Sequence, residues 1–325
     1  MGVFTIGRAW ALGIDFIRRS PAGHAILLIL MAAVVPALIQ FALIGSTSSI
    51  MSPAALSGGG GAEALVGAGI AAVLAGLAGY VLTTGGYFGS WRLGLGRDAD
   101  LGRSITYGLI AGLAVVGLAF AVGLVAFLLV QLLGWAGGLL IMLLVLPLFT
   151  AFYAVTVGMI GTGMILMGIL TLLFGAAISS ANAAFGGLGA GMVGVAIMVP
   201  LGLLFLWLAA RLCCVTPAMA SRGSLNVLQG LGESWSLTGP VQVRIMLYLA
   251  LVGVIFGLVY LVFAFVMAAS VGMSMAGGGV PTMGIGMLIF ATLLGILTAY
   301  VSVLVPAGIY RALQPDVDAS AAVFE

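Results

Sequence analysis

Apolar residues in this chain run in long unbroken blocks rather than in alternation, and the blocks have the length that crosses a bilayer. A helix needs about 20 apolar residues to traverse a hydrocarbon core roughly 30 Å thick. Windows of that kind lie at 24–45, 64–90, 108–134, 192–210, 245–269 and 285–309, which predicts six transmembrane helices. A further apolar stretch at 137–175 would be about 58 Å long as a helix at 1.5 Å per residue, too long for one crossing. The pattern predicts an all-α, polytopic helix bundle with one extra membrane segment and no sheet.

Between the blocks, three short segments share a pattern: Ile6-Gly7-Arg8-Ala9-Trp10, Leu101-Gly102-Arg103-Ser104-Ile105 and Leu231-Gly232-Glu233-Ser234-Trp235. Each reads aliphatic, glycine, ion, small residue, then Trp or Ile, and each precedes a pair of spans. Ile6, Trp10, Ile14 and Ile17 recur at helical spacing, as do Leu225, Leu228, Leu231 and Trp235. Such stripes mark amphipathic helices that lie in the interface with apolar faces in lipid and cations toward headgroups. The repeating unit is then one amphipathic helix plus one transmembrane hairpin, used three times. The competing reading makes these segments extensions of the spans, packed on one another.

Charge fixes the orientation of this scheme. Only 6% of residues are charged, against about a quarter in a soluble domain, which excludes an ordinary globular enzyme. The ten cations are all arginines, and they fall in four groups: Arg8, Arg18 and Arg19; Arg92, Arg97 and Arg103; Arg211, Arg222 and Arg244; and Arg311. Even numbers of spans separate the groups, so all four can occupy one side. By the positive-inside rule that side is the cytoplasm, with both termini in it. The loops on the other side carry only Glu63. An odd number of crossings within 137–175 would export the later arginines, so that segment crosses twice, giving eight spans, or re-enters, leaving six. Residues 1–23 are then a cytoplasmic interfacial helix, 24–311 the membrane domain and 312–325 a disordered acidic tail. The N-terminus does not read as a cleaved signal peptide, because the apolar stretch is too long and starts too late.

Trp207-Leu208-Ala209-Ala210-Arg211, followed by Thr216-Pro217-Ala218 and then Ser234-Trp235-Ser236-Leu237-Thr238-Gly239, resembles a known family. It is similar to the bacterial membrane proteins named after the membrane domain of glycerophosphoryl diester phosphodiesterase. Ile6 to Trp10 and Ile309-Tyr310-Arg311 fit the same pattern. The resemblance implies six transmembrane helices in a bacterial inner membrane. It also implies a hydrolase in some members as a separate soluble domain, which the short segment after Arg311 does not supply. The basic residue usual after the Thr is replaced by Gly239-Pro240.

Little reactive chemistry remains. His24, the single histidine, and Glu63 fall on opposite sides of the membrane in this topology and cannot meet. Asp98 and Asp100 are flanked by Arg97 and Arg103, as in a solvated turn. Cys213 and Cys214 are adjacent, which suits neither a disulfide framework nor a metal spacing. The predicted spans hold no Asp, Glu or Arg of the kind that couples ions to transport. No catalytic residue, cofactor or metal is predicted, nor any nucleic-acid partner. The partners expected are membrane lipids, touched by Arg8, Trp10, Arg18, Arg19, Arg92, Arg97, Arg103, Arg211, Arg222, Trp235, Arg244 and Arg311. A membrane-protein partner or a second copy of the chain is the other candidate. Gly67, Ala71, Ala75 and Gly79 form a small-residue ridge that predicts close helix packing. A scaffold or accessory role in envelope or lipid homeostasis is the expectation, and a permease for an apolar or amphipathic solute the alternative.

Overall fold

The computed structural model describes residues 4–39, 42, 61–114, 116–117, 203–204, 206–276 and 285–314. These residues are helical almost throughout and include no strand. The extra apolar segment at 137–175, most of the spans expected at 108–134 and 192–210, and the tail from 315 lie outside the described residues. Among the described residues, three apolar helical stretches are long enough to cross a membrane: Pro21–Ile39, Val227–Val259 and Thr292–Leu313.

Helix α1, Ile6–Arg18, starts where the Thr5 hydroxyl accepts from the Arg8 amide at 3.3 Å. It stops at Arg19–Ser20, where Ser20 leaves helical geometry and Pro21 opens α2, Pro21–Ile39. Helix α2 is wound as a π-helix over Ile26–Val34, just ahead of Pro36, whose ring cannot continue the backbone ladder. Helix α3, Gly61–Gly94, runs antiparallel to α2: Gly86 faces the Leu27 carbonyl and Gly79 faces Pro36. A Cβ on Gly86 would sit 2.7 Å from the Leu27 oxygen, so only glycine permits this approach.

Helix α4, at 101–114, returns along α3, with Gly108 against the Val81 carbonyl and Gly85 against that of Ser104. Close approach is therefore made at Gly85, Gly86 and Gly89 of α3, against Ser104 and Leu27, and at Gly108 and Gly112 of α4, against Val81. The ridge expected one segment earlier behaves differently. Gly79 is buried, Ala75 half-buried and Ala71 exposed, while the surroundings of Gly67 lie outside the described residues. Spacing alone identified a surface suited to close contact, but the partner helices approach nearer the ionic end.

Helix α5, at 206–212, leads through Cys213–Cys214 to α6, Val215–Arg222. Gly223 then closes α6 in the left-handed conformation at φ 65°, with the Gly223 and Ser224 amides donating back to Ala220 and Met219. Helix α7, Val227–Thr238, is capped by Asn226 and passes through one 3₁₀ turn at Gly239–Val241 into α8, Gln242–Ala276. Helix α9, Ile285–Leu313, completes the described fold.

The three segments expected to be alike differ in build. The first is a separate helix; the second is the opening turn of α4; the third is joined to α8 by a 3₁₀ turn. Nor does α1 present its whole apolar surface outward. Its Ala9, Gly13 and Phe16 face is buried on α9, with Gly308 against the Ala9 carbonyl and Gly13 against Leu304. Trp10 remains 41% exposed beside the half-buried Ile6, Ile14 and Ile17. In α7 the stripe divides similarly: Gly230, Ser234 and Thr238 pack inward, while Leu228 and Trp235 point out.

Among the described residues, two apolar clusters hold the helices together. One joins Phe4, Ile245, Tyr248, Val305 and Ile309; the other joins Phe16, Phe88, Trp91, Met219 and Val303. The Trp91 indole N–H donates to the Val303 carbonyl at 3.0 Å, which fixes α3 to α9. Burying side chains of this size contributes roughly 1.5–3 kcal/mol each.

Candidate functional site

Hydrogen bonds join the four arginine groups at one end of the bundle. The beginnings of α2, α4 and α8 and the ends of α3, α5 and α9 meet there. Arg311 of α9 donates to the Leu12 carbonyl at 3.0 Å and to Asp15 at 2.8 Å, which joins the last group to the first. Arg244 donates to the Phe4 carbonyl at 3.2 Å, joining the third group to the first. Arg97 and Arg103 donate to the Ser221 and Gly223 carbonyls, each at 2.9 Å, joining the second group to the third.

The chemistry of these contacts explains why arginine suits them. The last turn of a helix exposes carbonyls with no partner and carries partial negative charge. A guanidinium offers five N–H donors in a rigid fork and satisfies such carbonyls while keeping its charge. At α6 the Schellman closure uses the Ala220 and Met219 carbonyls, and Arg97 and Arg103 take those of Ser221 and Gly223. Arg211 donates to the Trp235 carbonyl at 3.1 Å and lies 4.7 Å from the centre of that indole. The Ser234 hydroxyl donates to the Arg211 carbonyl at 2.6 Å, so α5 and α7 are tied in both directions. Arg222 pairs with Glu233, which also accepts from the Tyr310 hydroxyl at 3.1 Å.

The residues expected at headgroups thus divide in their placement. Arg92, Arg97, Arg103, Arg211, Arg222, Arg244 and Arg311 engage protein groups, and Arg19 pairs with Asp15 at 3.3 Å. Arg18 is exposed in the last turn of α1, and Arg8 is half-buried in its first. Trp10 and Trp235 point outward at 41% and 46% exposure. The Arg311 hydrogen bond, seconded by Arg19, holds the Asp15 carboxyl below its ordinary value.

Sequence reasoning missed the partners of His24. The imidazole is fully buried, with Nδ1 2.6 Å from the Ser90 hydroxyl and Nε2 3.2 Å from the Phe16 carbonyl. A carbonyl only accepts, so Nε2 carries the proton and Ser90 donates to Nδ1. This histidine closes the C-terminus of α1 by taking one of its orphan carbonyls. No spacing in the chain links His24 to Ser90. Cys213 and Cys214 are buried free thiols with sulfurs 3.7 Å apart. The Cys213 hydrogen bond and burial push the Cys214 thiol well up. Among the described residues, no group of three or more His, Cys, Asp or Glu side chains is placed to hold a metal ion. Away from the ionic end, Val34, Leu38, Ile289, Thr292 and Leu293 line an apolar groove of about 260 Å³ between α2 and α9.

No protein-family model, curated protein or solved structure matches this chain. The family resemblance therefore rests on the motif residues alone. In the structure those residues have structural parts: Arg211, Ser234 and Trp235 tie α5 to α7, and Thr216 is buried in α6.

Proposed function

We propose that this chain is a non-enzymatic, multi-pass protein of a bacterial inner membrane, acting as a scaffold or accessory factor in envelope or lipid homeostasis. Its core is three transmembrane hairpins with both termini in the cytoplasm, and it belongs to the family whose motifs it resembles. The observation that carries this reading is the gathering of all four arginine groups at one end, where they bind helix ends together. Positive charge concentrated on one side of an apolar bundle is what the positive-inside rule demands of a cytoplasmic face. Exposed Trp10 and Trp235 at that end suit an interfacial aromatic belt. Native mass spectrometry of the gently solubilised protein tests the role. Co-purifying lipid, a partner protein or a second copy supports it, and a bare monomer contradicts it.

The groove between α2 and α9 favours a second reading, a permease for an apolar or amphipathic solute. Its lining is almost wholly aliphatic, as a site for an alkyl chain would be. Leu293→Trp would fill it. Uptake of an amphiphile by proteoliposomes that this change abolishes would favour transport over scaffolding.

A further inference from the structure

The α3–α4 turn holds more positive charge than the structure around it uses. Arg92 is only 6% exposed; its Nε donates to the Asp98 carbonyl at 3.2 Å, while its Nη1 is buried with no partner. Arg97 and Arg103 are each pinned by one N–H to the α6 C-terminus and keep further donors. The Nη1 atoms of Arg92 and Arg103 converge on Gly223, where a Cβ would lie 2.8 and 3.1 Å from them. Three cations face two carboxylates in this turn: Asp100, which pairs with Arg103 at 3.3 Å, and Asp98. Guanidiniums fixed in place with donors to spare are preorganised for an anion that accepts several hydrogen bonds.

The face of α4 beneath Arg103 indicates which anion. Thr106, Ile110 and Leu113 follow at helical spacing, with Ile110 48% and Leu113 70% exposed. Cations at the head of a membrane helix and a bare aliphatic stripe running down it match a phosphate joined to acyl chains better than a free phosphate. We propose that this turn is a headgroup site for an anionic phospholipid, its phosphate on the exposed donors of Arg103 and Arg97 with the buried Arg92 charge behind them, and one acyl chain along Ile110 and Leu113. The proposal rests on the membrane reading above and narrows it to one lipid site.

The test uses the full chain in detergent, titrated with dioleoyl phosphatidylglycerol, with dioleoyl phosphatidylcholine and with inorganic phosphate, and read by native mass spectrometry. Phosphatidylglycerol is expected to bind at least tenfold more tightly than phosphatidylcholine. Arg97→Gln/Arg103→Gln should remove that preference, while Arg18→Gln, elsewhere on the same face, should leave it. Arg103→Lys, which keeps the charge, should restore most of the loss seen in Arg103→Gln and exclude misfolding as its cause. Equal binding of the two lipids, or equal loss in Arg18→Gln, overturns the site. Displacement of phosphatidylglycerol by millimolar phosphate overturns the lipid assignment in favour of a free anion. Recovery of the chain in the soluble fraction without detergent would instead overturn the membrane reading.

Discussion

Gly308 and Gly7 make opposite predictions for the same residue change. At Gly308 an added Cβ meets the Ala9 carbonyl, which is backbone and cannot rotate away, whereas at Gly7 it meets nothing within 4 Å. In Gly308→Ala, α1 must therefore retreat from α9 by about 1 Å, and a gap of 0.5–1 Å forfeits roughly a quarter to a half of each dispersion contact across it. The buried face of Ala9, Gly13 and Phe16 loses those contacts, and the Arg311 bonds to Leu12 and Asp15 are stretched. Overpacking of this kind costs about 1–3 kcal/mol. Gly7→Ala lies within α1 and should instead stabilise it by about 0.5–1 kcal/mol, since glycine is the poorer helix former. Hydrogen exchange of the α1 amides, read by mass spectrometry in detergent, separates the two because it reports local opening. At tenfold per 1.4 kcal/mol, Gly308→Ala should exchange roughly 5- to 150-fold faster and Gly7→Ala about two- to fivefold slower. Unchanged exchange in Gly308→Ala, or equal acceleration in both variants, would refute the docking of α1 on α9.

The Asp15–Arg311 pair gives a pH dependence. A carboxyl held below its ordinary value stabilises the fold above the usual carboxylate range, and that contribution is lost as pH falls through the lowered value. Asp15 is largely exposed, so the effect should stay under about 1 kcal/mol. Exchange of α1 should quicken on acidification below about pH 4, after correction for the intrinsic rate, and Asp15→Asn should remove the dependence. Gly223→Ala imposes left-handed geometry on a side chain and crowds Arg92 and Arg103, so a thermal melt should show a loss of about 1–2 kcal/mol. Trp91→Phe removes the donor to Val303 and should lower stability by about 1 kcal/mol, measured by the same melt. Cys214 should resist maleimide at neutral pH in the folded protein and react once the chain is denatured, because burial and a raised thiol pKa both withhold the thiolate. Rapid labelling of the folded chain would show that the α5–α6 junction is open.

Helical class and the gathering of arginines were legible because both follow from one-dimensional patterns. Apolar blocks announce helices, and cations separated by even numbers of blocks can share an end. The contacts made by those arginines were not legible. Arg311 reaches Leu12 and Arg244 reaches Phe4, pairings 299 and 240 residues apart that no local spacing encodes. The same holds for His24 and Ser90, which meet because α2 and α3 run antiparallel. The expected small-residue ridge was legible only at Gly79, which packs on Pro36, and not at the closer contacts of Gly85 and Gly89. Spacing of four occurs at Gly67 to Gly79 and again at Gly85 and Gly89, and spacing alone does not say where a partner backbone comes nearest. The resemblance among the three short segments carried over least, since one five-residue pattern is a separate helix at Arg8 and the opening of a longer one at Arg103.

Labelling single cysteines from each side of the membrane shows whether the arginine groups share one face of the bundle. In a Cys213→Ala/Cys214→Ala background, Arg18→Cys, Asp98→Cys and Gly232→Cys report on three of the groups, and Gly60→Cys reports on the loop expected opposite them. With a membrane-impermeant maleimide, the first three should label only in inverted vesicles and Gly60→Cys only in right-side-out spheroplasts. Labelling of any one of the first three from the outside, or of Gly60→Cys from the inside, would overturn this arrangement.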